Sequence, residues 1–166
     1  MTDPISLDRL TRAEDVVGED AEETRLLREM LKRAKEYIAS FKWCPPFDQV
    51  YFGCGVGGVV AVFLFRFRET IANSEEWLWV VEGDLPSAYL VLDRAREPTS
   101  ALEVYCELME EWAQAVLENR SLKDVFPVKA EPTTENANDL LKRLAFIRKQ
   151  VLPREQARTK EGSEQS

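Results

Sequence analysis

The residues whose type and spacing suit chemistry gather around a glycine-rich stretch in mid-chain. Gly53-Cys54-Gly55-Val56-Gly57-Gly58 matches the G-x-G-x-x-G spacing that lets a backbone approach a pyrophosphate at a helix N-terminus. The residues that follow, Val59-Val60-Ala61-Val62-Phe63-Leu64-Phe65, are β-branched and aromatic and predict a strand. Without a helix there is no dipole to hold phosphate, so the glycines read as a hairpin connection. Cys54 is a candidate nucleophile in that stretch. Glu82 and Asp84 flank Gly83 at a predicted turn, where two close carboxylates would suit acid–base hydrolysis. These three residues define one alternative, a small-ligand-binding protein or a hydrolase.

The chain contains no histidine. That removes Ser-His-Asp and Cys-His catalysis, histidine metal sites and the commonest general base near neutral pH. Any hydrolase here would have to work without it. We therefore expect no cofactor, no metal and no catalytic residue, and read the chain as a binding protein.

Two features suit binding. Trp77 and Trp79 share one face of a predicted strand at period two, with Val81. Glu103, Glu107 and Glu111 recur at i, i+4 and i+8 on one helix face, with Glu110 beside them and Glu118 further on. Carboxylates so placed can steer a basic partner, and aromatic surface supplies contact area.

The elements that position these residues follow from periodicity and punctuation. Asp20 and Glu23 have capping-box spacing, and Leu26, Leu27, Met30, Leu31, Ala34, Tyr37, Ile38 and Phe41 continue at helical intervals. Cys44-Pro45-Pro46 stops that helix. Strands are predicted at about 48–54, 58–68, 77–82 and 87–93, joined by short links, one of them through Asn73-Ser74. Short links favour an antiparallel meander over parallel crossovers. Ser100 with Glu103 predicts the cap of a second long helix, and Thr133 or Thr134 that of a third, ended by Pro153.

The expected fold is α+β, a four-stranded antiparallel meander in the order α-β-β-β-β-α-α with helices packed on the sheet. A sheet of four strands is roughly 20 Å wide and needs about two helices per face. Three helices leave part of the second face open, with Trp77 and Trp79 as interface candidates there beside core packing, the commoner use of a single tryptophan. Homodimerisation through that face is the simplest expectation. Residues 1–18 read as a mobile arm with a short helix near Ser6–Ala13, 19–152 as a single domain, and 153–166 as a disordered tail.

Composition bounds the partners. The 166 residues carry 22 Lys plus Arg against 30 Asp plus Glu, a net charge of −8. That balance disfavours nucleic acid, whose binders usually show a basic stripe. The longest apolar run, Val59 to Phe65, is far too short to span a membrane, and no basic leader precedes an apolar segment. Three cysteines outside any C-x-x-C pair suit a cytoplasmic protein.

The segments Phe41–Pro46, Gly55–Ala61, Trp77–Tyr89 and Tyr105–Trp112 resemble those of an uncharacterised bacterial protein family, a domain of unknown function, over about residues 37–152. That resemblance implies a bacterial origin and transfers no activity. In size, acidity and element order the chain is also similar, by class alone, to bacterial immunity proteins and to chaperones of secreted effectors.

Overall fold

The architecture is seen in a computed structural model that describes residues 10–71 and 75–164. Packing groups the chain into two compact units, Met1–Ala101 and Leu102–Ser166.

The first unit is a five-stranded antiparallel sheet with one helix on it. Strand β1 (Thr11–Arg12) is followed by a 3-10 turn (Ala13–Asp15) and helix α1 (Ala21–Ala39). Strands β2 (Phe47–Val56), β3 (Val60–Ile71), β4 (Glu75–Gly83) and β5 (Ala88–Val91) then form a meander, in the order β1-β2-β3-β4-β5. The four expected strands are present and the fifth, β1, comes from the expected arm. Thr11 pairs with Phe52 and Arg12 with Tyr51, while Ala13 and Val16 are buried in the core. The predicted helix near Ser6–Ala13 gives way to strand at Thr11, and its earlier residues lie outside those described, as do Asn73 and Ser74.

Helix α1 starts where its capping signal lies. Asp20 Oδ1 accepts from the Glu23 N–H at 2.8 Å. Leu27, Met30, Leu31, Ala34 and Ile38 form its buried stripe, packed on Ala61, Phe63, Phe65, Phe67, Leu78 and Val80 of the sheet. Burial of these side chains contributes about 1.5–3 kcal/mol for each large residue.

Two bulges bend β2, at Phe47/Gln49 and at Phe52/Cys54. The second inserts Gly53, so Phe52 lies opposite Phe63 while Cys54 lies opposite Val62. A Cβ at Gly53 would come within 2.9 Å of Pro98 Cβ and 3.0 Å of the Val62 carbonyl, so a side chain there would disturb the bulge.

The second unit is helical. Helix α2 (Pro98–Leu117) begins just before the boundary, with the Ala101 N–H donating to the Glu97 carbonyl. Ser100 is thus inside the helix and does not cap it. Pro98, whose fixed φ suits a first helical position, moves the start upstream. Helix α3 (Thr134–Phe146) is capped by Thr133, whose Oγ1 accepts from the Asn136 N–H at 3.1 Å.

Pro153 does not end this helix. A π-helical turn (Ile147–Val151) leads directly into α4 (Leu152–Glu164), so the segment expected as a tail is helical as far as Glu164. The Leu152 N–H reaches back five residues to the Ile147 carbonyl. This widened turn accommodates a proline ring that would otherwise crowd the preceding carbonyls.

Candidate functional site

The sheet separates the residues of the catalytic alternative. Residues directly opposite on neighbouring strands share a face, and Glu82 lies opposite Ala61 on the face covered by α1. Cys54 lies opposite Val62, on the other face, and is buried. The bulge at Gly53 causes this separation. Glu82 is only 6% exposed, and its carboxylate accepts from the Ser87 hydroxyl at 2.6 Å. Asp84 is exposed on the turn, its backbone N–H donating to the Val59 carbonyl. Nothing in this arrangement points the three groups at a common reacting atom.

The glycine-rich connection is a hairpin turn, and its amides are occupied. The Gly57 N–H donates to Glu23 Oε2 at 3.2 Å, and the Gly58 N–H to the Met30 sulfur at 3.3 Å. The same Glu23 carboxylate accepts from the Glu19 N–H at 2.7 Å. A carboxylate thus stands where a phosphate would need to sit.

The tryptophan pair is buried, which corrects the expectation of an open face carrying it. Trp77 is 6% and Trp79 0% exposed. Trp79 Nε1 donates to the Ala95 carbonyl at 2.8 Å, which satisfies its polar edge inside the protein. Arg66 lies over the Trp77 ring, 5.4 Å from its centroid. Neither indole is available as a dimer surface.

The acidic series divides by partner. Glu110 forms a two-pronged ion pair with Arg148, at 2.6 and 2.8 Å, and Glu103 accepts from Gln156 Nε2 at 2.7 Å. Both contacts lie within the helical unit and hold the π turn and α4 against α2. Glu107 and Glu111 are exposed and, among the described residues, make no ion pair. Beside this network lies Cys106, whose thiol burial pushes up to about 12. Arg148 opposes that shift, and Glu110, Glu103 and Glu107 add to it. A thiol held neutral in this way is a poor nucleophile.

The aromatic cluster around Trp43 is the surface that the sequence reading missed. Phe41 stacks on Trp43 with ring centroids 5.2 Å apart, and Tyr89 meets both rings at 5.2 Å. Tyr37 closes the group at 5.3 Å from Phe41. Burial, then Tyr89 and Glu82, push the Tyr37 hydroxyl well above the usual range. Trp43 remains 39% exposed, on the irregular segment before Pro45. Its signal was present in the residues 41–46, where an aromatic pair precedes two prolines.

Helix α1 also carries a basic ridge. Arg25, Arg28, Lys32 and Lys35 are exposed along one side. Arg25 is paired with Glu22 at 2.6 Å and Glu29 at 3.4 Å. Among the described residues, Arg28, Lys32 and Lys35 have no ion-pair partner.

Among the described residues, no group of three or more His, Cys, Asp or Glu side chains is placed to hold a metal, and no helix is long and apolar enough to cross a membrane. Comparison with known protein families, curated proteins and solved structures gives no match.

Proposed function

We propose that this chain is a non-catalytic protein-binding module whose partner contacts the aromatic surface around Trp43. The observation that carries this reading is the partial exposure of an indole braced by the Phe41 and Tyr89 rings, which Tyr37 contacts in turn. Rigid aromatic anchors of this kind dominate binding energy at interfaces, because they bury much area and lose little conformational entropy. Isolated exposed apolar side chains are ordinary, whereas a braced cluster offers contiguous apolar surface. The separation of Cys54 from Glu82 across the sheet favours binding over the hydrolase reading. Three cysteines outside any disulfide suit a reducing, cytoplasmic setting.

The test is paired affinity capture from the source cells, with the wild-type chain and Trp43→Ser as baits. A protein retained by the first and lost with the second, while circular dichroism stays unchanged, supports the proposal. Identical recoveries from the two baits overturn it.

A further inference from the structure

We infer that two copies of this chain associate by docking the basic ridge of α1 in one copy against the acidic ridge of α2 in the other. The inference adds a second surface to the proposed function and rests on different residues.

It starts from an imbalance. In a chain of net charge −8, four cations of α1, Arg28, Lys32, Arg33 and Lys35, stand exposed without an ion-pair partner among the described residues. Three of them, Arg28, Lys32 and Lys35, share one side at i, i+4 and i+7. The complementary surface is on α2. Glu107, Glu111 and Gln114 are exposed on α2 with the same spacing, i, i+4 and i+7, and the two glutamates make no ion pair among the described residues. Each set spans about 10 Å at 1.5 Å per residue. Aligned in the same sense, Arg28 faces Glu107, Lys32 faces Glu111, and Lys35 faces the Gln114 amide, whose oxygen can accept from it. The remaining members of the acidic series, Glu103, Glu110 and Glu118, are engaged with Gln156, Arg148 and Arg120 of their own unit, so the carboxylates left without a direct ion pair are those that match the ridge.

Two opposing electrostatic effects set the conditions. Whole copies at −8 repel over distance, whereas ridge contacts form within a few ångströms. At about 0.1 M salt the screening length is about 10 Å, so the long-range repulsion is damped while the contacts keep most of their strength. At about 1 M salt the screening length is about 3 Å and the contacts themselves weaken. A single exposed pair is worth little, and the association depends on the pairs acting as an array.

Sedimentation velocity over a concentration series reads the result directly. The expected outcome is a concentration-dependent dimer or larger species near 0.1 M salt that dissociates toward 1 M. Lys32→Glu and Glu111→Lys should each abolish it with the circular dichroism spectrum intact. Mixing the two variants should restore a dimer, because one supplies an intact acidic ridge and the other an intact basic ridge. A monomer at every salt concentration overturns the inference, as does a dimer that survives either charge reversal or a mixture that stays monomeric. Trp43→Ser separates the two surfaces. It should leave self-association unchanged, and loss of the dimer in that variant would place the contact on the aromatic surface instead.

Discussion

Trp79 illustrates how one side chain changes meaning between sequence and structure. Period two correctly places it with Trp77 and Val81, and its row partners are Leu64 and Leu90. What periodicity does not contain is the Ala95 carbonyl, 16 residues downstream, that takes its indole N–H. A buried donor with a partner turns an apparent interface residue into a core residue. Trp79→Phe should therefore cost about 1–3 kcal/mol of unfolding free energy, from the lost hydrogen bond and the space left behind, as read by chemical denaturation. Cys54 was hidden for a related reason. The bulge at Gly53 turns it to the face opposite Glu82, and a bulge leaves only a glycine in the sequence as its trace.

Elements with a strong period and clear punctuation were legible. Asp20 and Thr133 cap α1 and α3 as their residue types predict, and four strands fall close to their predicted bounds. Elements that depend on distant partners were not. Thr11 and Arg12 form a strand because Tyr51 and Phe52 offer an edge, and two residues carry no period of their own. The stretch beyond Pro153 stays helical because a π turn absorbs the proline. Glu23 shows the same non-local logic in a cap. Its carboxylate accepts from the Glu19 N–H, one residue before the N-cap Asp20 whose amide a capping box would engage, and also from Gly57 across the unit. Glu23→Ala should cost about 1–2 kcal/mol and accelerate hydrogen exchange at the Gly57 amide, which amide-exchange NMR would resolve. Unchanged protection at Gly57 would mean that the turn holds without its carboxylate.

At the scale of the molecule, the absence of histidine becomes a statement about pH. The ordinary side chains titrate below about 5 or above about 8, so the unfolding free energy should vary by less than about 1 kcal/mol between about pH 6 and 8. Above that range the Cys106 thiol and the Tyr37 hydroxyl matter, because both hold their protons longer in the folded chain. Their contribution is complete below the unfolded values and is lost as pH rises, since the unfolded chain then binds fewer protons. For Cys106 the window runs from an ordinary 9.0 to about 12, with a slope of up to about 1.4 kcal/mol per pH unit. Denaturation midpoints across pH 6 to 11 would show a plateau and then a fall, and a stability that rises above pH 9 would contradict the assignment. Charge placement, unlike net charge, separates the surfaces of this chain. The −8 total conceals a basic helix, and the acidic face is half consumed by internal contacts.

The Glu23 carboxylate joins the first turn of α1 to a hairpin tip 34 residues later in the chain. Early in folding, a helix start that has not met the tip lacks one of its ties, and a tip that has not met the helix leaves an amide to water. Each is incomplete until the other arrives, so neither has much to gain by forming first. Fraying of the helix start and opening of the β2–β3 turn should consequently be a single kinetic event, with matching rates at the two ends of this contact.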